Sequence, residues 1–461
     1  MKKSKKFLVA ILVCITASLS LIGLGGCDML LGGTGEESSS SIFGDIEGVK
    51  YAVSEDGTYA KVVGSVQWDA EKTEIVILDT YQGLPVTAID KEAFWGVDCW
   101  TSITIPNSVK SIRESAFRNC SALTSITIPN SVTTIGVDAF AGCGALTGVA
   151  IPDSVVELGE GAFSHCDNLE SVTIGNSLTE ISKNAFCECD KLKNIQIGTA
   201  VNTIGEYAFG ACTTLETVVI PDTVATVGVS AFSHCSALKN VTIGSGVFTI
   251  DDSAFFLCES MASIAIPESV KTIGDSAFAG CAFKSITIPD GVTTLGVGAL
   301  SGCSALTEAK IGKGVTAIAS ATFSNCENLT SVTLGEDLQS IGSDAFCVCK
   351  RLQTLYIPDG VTEIGYRAFR ECESLRSLVF GKNMTTIDAA AFHWLFKMES
   401  VYYGGTAEEK ALIDVKADND SLQSATWYYY VETQADVPMD GGNYWYYDEN
   451  GEIVVAMFCE G

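Results

Sequence analysis

The chain has 461 residues, 47% of them hydrophobic and 18% charged, with 28 Lys and Arg against 56 Asp and Glu for a formal net charge of −28. A balance this acidic repels nucleic-acid phosphates and anionic lipid headgroups, which argues against nucleic acid as a partner and leaves solvation, or recognition of basic patches, as its use. Eighteen cysteines would ordinarily suggest a disulfide framework, so their placement needs its own account.

Residues 1–26 read as a targeting segment. Lys2, Lys3, Lys5 and Lys6 form a basic head, Phe7 to Leu24 is an apolar run, and small residues precede Cys27. The tetrad Leu24-Gly25-Gly26-Cys27 resembles a bacterial lipoprotein cleavage box. That resemblance implies removal of the first 26 residues and a lipid on the Cys27 thiol, the chain's single link to a membrane. An ordinary cleaved signal or an uncleaved anchor is the alternative. Residues 27–48, rich in Ser, Gly and Glu from Thr34 to Gly48, cannot bury enough to fold and are expected to be a flexible tether. Residues 49–87 carry alternating runs at Ala60 to Val63 and Thr73 to Leu78 and are expected to form a β cap over the first periodic unit.

From 88 to 403 the chain repeats. Phe94, Phe117, Phe140, Phe163, Phe186, Phe209, Phe232, Phe255, Phe278, Leu300, Phe323, Phe346, Phe369 and Phe392 recur every 23 residues, with one step of 22 between Phe278 and Leu300. Fourteen copies at fixed spacing predict a solenoid. In the unit Leu123 to Cys143, Ile126 and Ile128 are two apart and predict a parallel-ladder strand over roughly 125–128. Ala139, Phe140 and Cys143, spaced one and three apart, predict one short helical turn. Pro or Gly follows the strand, as at Pro129, Pro152, Gly175 and Gly198, where the ladder stops and the chain turns. The fold class expected is therefore an α/β repeat solenoid, capped at both ends.

Twelve cysteines, from Cys120 to Cys372, sit three residues after the marker and form a ladder with one thiol per coil. Parallel strands about 4.8 Å apart hold such side chains too far apart for a relaxed disulfide, so these read as buried free thiols. Cys187 and Cys347 each make a C-x-C pair with a ladder member, and His165 lies one copy before Cys187. Thiolate and imidazole suit zinc, but this is not the usual pair spacing and no fourth ligand is evident; neutral half-buried side chains are expected, with no metal and no cofactor. His165, His234 and His393 make no triad, and no carboxylate pair or phosphate loop stands out, so no enzyme is expected.

The outward strand position runs Thr104, Thr127, Ala150, Thr173, Gln196, Val219, Thr242, Ala265, Thr287, Lys310, Thr333, Tyr356, Val379, Tyr402, preceded mostly by Ser or Thr. This hydroxyl and methyl surface suits an exposed strand by itself. Read as a binding platform, it concentrates recognition at Lys310, Tyr356 and Tyr402, where the uniformity breaks.

The unit L-x-x-I-x-I-P-x-x-V-x-x-I-x-x-x-A-F-x-x-C resembles the Treponema-type leucine-rich repeat of BspA-like bacterial surface proteins, over about Ala88 to Tyr403. The resemblance implies a leucine-rich-repeat solenoid and an adhesin class that binds host extracellular proteins or other bacteria; no ligand motif carries over. Residues 404–461 lose the period. Ala407 to Ile413 has a short helical pattern, 424–432 is strand-like, and 442–455 reads as a hairpin about Asn450-Gly451. The segment is expected to close the solenoid, with glycan binding by Trp445 and Tyr446 as its alternative, because it looks like one copy of a cell-wall-binding aromatic repeat. The expectation is a monomeric, lipid-anchored cell-surface protein that binds proteins, with carbohydrate as the rival ligand.

Overall fold

The computed structural model describes residues 44–46, 48–65, 73–438, 440 and 442–456. The cleavage box, Cys27 and residues 28–43 of the tether lie outside these described residues.

Each repeat is one coil, and all but the coil around Ile264 carry two short strands. The first lies where alternation placed it: Ser125–Thr127, Gly148–Ile151 and Ser171–Ile174 in successive coils. The second, two residues long, was not anticipated: Thr134–Ile135, Glu157–Leu158 and Glu180–Ile181. Both stack in parallel on their counterparts one repeat away, pairing Val149 with Val172, Ile151 with Ile174 and Ile135 with Leu158. Two ladders thus run along the axis, since strands this short bury nothing alone and gain stability only by sharing an interior. The first ladder is interrupted between Ser125–Thr127 and Gly148–Ile151, between Ser331–Thr333 and Thr354–Ile357, and at Ile264 to Ile266, where one isolated Thr242–Ala265 bridge remains just before the 22-residue coil; the second breaks between Glu157–Leu158 and Glu180–Ile181 and between Thr294–Leu295 and Ala317–Ile318.

The short helical turn expected in each repeat is not formed. N–H groups of Asp138, Phe140 and Gly142 donate along the axis to Glu160, Ala162 and Ser164 carbonyls of the next coil, each at 2.8 Å. The intervening N–H groups, of Ala139, Ala141 and Cys143, close tight turns on Gly136, Asp138 and Phe140 at 3.2, 3.0 and 3.2 Å. A helix would spend every donor inside its own coil; here alternate donors stitch coils together. That alternation requires left-handed residues such as Asp138 (φ 53°) and Gly142 (φ 72°). Among the described residues the α-helices are Ala407–Lys410 and Asp420–Ser424, both past the repeats, so the solenoid is strand and turn rather than α/β.

Inside, the markers form a ring stack. Phe117 and Phe140 lie 4.9 Å apart at 6°, Phe140 and Phe163 5.0 Å apart at 4°, and all are fully buried. Leu300 breaks the stack, and nearby Phe283, also buried, takes the interior place that Leu146 and Leu169 hold in their coils. Each ladder thiol donates to the carbonyl of the marker one coil back, as Cys143 to Phe117 at 3.2 Å and Cys212 to Phe186 at 3.2 Å. The ladder cysteines are free and buried.

The ladders continue beyond the periodic sequence. Glu74–Val76 pairs with Ser102–Thr104, and Leu84–Ile89 with Ser111–Ile112. The antiparallel pair Val49–Val53 and Ala60–Ser65 lies beside Leu84–Ile89. At the other end Ser400–Tyr403 pairs with Thr426–Tyr430, which pairs with Tyr444–Tyr447 and through it with Ile453–Val455.

Candidate binding face

Strand alternation sends one row of side chains inward and leaves its neighbours in solvent. Val149 and Val172 are buried while Ala150 and Thr173 are exposed, and the outward row stays exposed from Thr104 through Tyr356. One margin is edged by threonine hydroxyls donating to carbonyls one coil back, as Thr124 to Thr101 at 3.0 Å and Thr330 to Thr307 at 2.8 Å. Along the other, side-chain oxygens accept backbone N–H groups of the next coil: Asp153 from Asn176 at 2.7 Å, Asn176 from Thr199 at 3.0 Å, Asp222 from Ser245 at 2.7 Å. These margins hold the face in register and leave the central row free.

A shallow groove of about 390 Å³ opens in this face around Ala150, between Thr127, Thr173 and Gln196, with Asp153 and Asn176 at its edge. Its signal is the replacement of a threonine by Ala150 in the outward row, whereas the residues expected to bind lie toward the carboxyl end.

Of those residues, Lys310 is exposed on the row between Thr287 and Thr333. Tyr356 is 50% exposed, and Tyr402 is half-buried, its ring stacked on Tyr428 at 5.2 Å. Tyr446 is half-buried on the opposite side of its strand from Trp445. Trp445, the residue of the glycan-binding alternative, is only 2% exposed and is enclosed by Tyr402, Tyr430 and Tyr447 at ring distances of 5.8, 5.1 and 5.0 Å. Its indole N–H donates to the Tyr403 carbonyl at 3.0 Å, so no ring face is left for a ligand. The tyrosines around it supply the accessible aromatic surface instead. Burial pushes the Tyr447 phenol upward, with the phenols of Tyr356 and Tyr430 and the Asp359 carboxylate adding to the effect.

The C-x-C cysteines diverge from the ladder. Cys187 and Cys347 sit nearer the surface, each thiol pushed up to about 12, first by burial and then by acidic neighbours, Glu188 and Asp138 for Cys187 and Asp344 for Cys347. Stacking brings His165 beside Glu188, with Nδ1 3.3 Å from the carboxylate. Glu188 was not anticipated, although the 23-residue step already places it one coil on from His165.

The profile of the family described as "BspA type Leucine rich repeat region" matches residues 87–216, 179–307 and 296–409. A crystal structure of a leucine-rich repeat protein from Bacteroides ovatus is 28% identical, with a TM-score of 0.62, covering 81% of this chain and 99% of that one. A leucine rich cell surface protein from Faecalibacterium prausnitzii is 26% identical, with a TM-score of 0.49, covering 82% and 98%. No curated protein shows a significant match.

Proposed function

The chain belongs to the BspA-type leucine-rich repeat family, and from that premise we propose that it is a cell-surface adhesin whose open strand face binds host extracellular proteins or proteins of neighbouring cells. The observation that carries this is the continuous exposed row from Thr104 to Tyr356, held in register by hydrogen bonds at both margins. A rigid wall of short hydroxyl and methyl side chains binds at little entropic cost, because almost nothing has to be ordered. The solenoid acts as a scaffold rather than an enzyme, and works as a monomer.

A lipid on Cys27 holds it to the bacterial membrane, residues 27–48 are the tether, 88–403 the repeat body, and the flanks 49–87 and 404–461 cover its ends. Cys27→Ala in the full chain is expected to move the protein from the detergent-rich to the aqueous phase.

Binding is tested by probing arrays of extracellular matrix proteins, bacterial surface proteins and glycans with the chain lacking residues 1–26. Thr173→Arg in the groove, or Lys310→Glu beyond it, is expected to abolish capture of the protein ligand; unchanged capture by both excludes this face as the binding surface. The exposed Tyr356 and Tyr447, together with half-buried Tyr402 toward the same end of the solenoid, favour a second reading, glycan binding. It predicts retention on polysaccharide that is lost in the Tyr356→Ala, Tyr447→Ala double variant.

A further inference from the structure

The geometry points to a divalent transition-metal site, of the kind zinc fills, formed by His165, Cys187 and Glu188. These three offer an imidazole nitrogen, a thiol sulfur and a carboxylate oxygen that all lie within 4.8 Å of one another. The 3.3 Å between His165 Nδ1 and the Glu188 carboxylate is close to the edge of a zinc tetrahedron, roughly 3.3 Å for bonds near 2.0–2.1 Å. Cys187 completes a face of that tetrahedron after small rotations of His165 and Glu188, whose side chains are 57% and 49% exposed and free to turn.

The backbone beneath is set. His165 and Glu188 occupy the same left-handed turn position in successive coils, at φ 53° and 56°, and the His165 N–H donates to the Cys187 carbonyl at 2.9 Å. A thiolate beside an imidazole selects borderline-soft metals over calcium and magnesium. The fourth position is left to water or a donor from a partner.

The repeat supplies its own controls. His234 holds the place of His165, but the next coil answers with Phe256, whose ring edge it meets at 5.4 Å, and with Leu257. Cys347 holds the place of Cys187, but Asn325 and Val348 stand where His165 and Glu188 would. Only one pair of coils brings three donors together among the described residues.

Loading replaces the Cys187 S–H bond by an S–metal bond and releases the proton to solvent. Glu188 lies beside this thiol, the Asp138 carboxylate acts on it from further off with Arg118 paired to it, and the Tyr207 phenol is within the field of Glu188, so the site is acidic on balance and attracts a cation.

The test titrates the chain lacking residues 1–26 with Zn²⁺ by calorimetry and with Co²⁺ by absorption. One metal per chain is expected, with a sulfur-to-cobalt charge-transfer band and one proton released. Cys187→Ser should remove the band, and His165→Ala and Glu188→Gln, both on the surface, should each weaken Zn²⁺ at least about tenfold. Cys347→Ser should change nothing, and Ca²⁺ and Mg²⁺ should not bind. Absence of saturable Zn²⁺ binding, or binding equally strong in His165→Ala and Cys187→Ser, overturns the site.

Discussion

At the scale of single residues, the turn before each marker sets a backbone conformation that side chains resist. Ala321 holds it at φ 56°, and Gly298, its equivalent one coil earlier, at φ 63°. A Cβ built on Gly298 meets nothing nearer than the Ser276 hydroxyl at 3.4 Å, so only the backbone objects to a side chain. Gly298→Ala is expected to lower stability by about 1–2 kcal/mol. Ala321→Gly should be neutral or stabilising, because relief of that strain offsets the ~0.5–1 kcal/mol of extra unfolded-state entropy. Urea midpoints moving the same way in both variants would refute the assignment.

The ladder thiols are equally testable. Burial pushes those from Cys166 through Cys349 above their ordinary value of 9.0, Cys303 to about 12. Below the unfolded pKa these groups are protonated in both states and stability is full. Above it the unfolded chain sheds protons that the folded chain keeps, so stability falls by about 1.4 kcal/mol per pH unit per thiol until the folded value is reached. Denaturant midpoints are expected to drop steeply from pH 9 upward; a flat profile to about pH 10 would show that the thiols are not buried.

At the scale of elements, the ring stack and the terminal hairpin differ in kind. Phe209 lies 5.4 Å from Phe186 and 5.3 Å from Phe232, so Phe209→Ala opens a cavity between two coils and should cost about 3–5 kcal/mol. Trp445 joins the hairpin to the last coils by its burial and by its bond to Tyr403. Trp445→Ala is expected to raise amide exchange over 444–455 while leaving the repeats protected. Loss of protection throughout would mean that the hairpin is integral to the whole ladder.

The first strands were legible because alternation at Ile126 and Ile128 needs no partner to be read. The two-residue second strands were not, since Thr134–Ile135 is a strand only through its bonds to neighbouring coils. The expected helical turn failed for the same reason: Ala139, Phe140 and Cys143 have helical spacing, but the Phe140 N–H bonds forward to Ala162.

At the scale of the whole molecule, coils interact with their neighbours and charge acts on all of them. Cross-coil ion pairs such as Lys183 with Glu206 at 3.0 Å and Lys350 with Glu327 at 3.0 Å occupy several of the 28 basic residues, against 56 acidic residues that repel one another. These pairs are exposed and individually weak. Net repulsion therefore dominates, and raising ionic strength from about 0.01 M to 0.5 M should lift the thermal midpoint by a few degrees. A lower midpoint in salt would show that the ion pairs outweigh the repulsion.

Sequence alone determined the repeat, its 23-residue step, the inward and outward strand rows and the unpaired thiol ladder, because each depends only on which residue recurs at which spacing. Tertiary structure decided where donors and acceptors on different coils meet: the turn bonds that replace a helix, the enclosure of Trp445, the groove at Ala150, and Glu188 beside His165 and Cys187. Spacing along the chain fixes what one coil offers; only the stacking register fixes which offering of the next coil it touches.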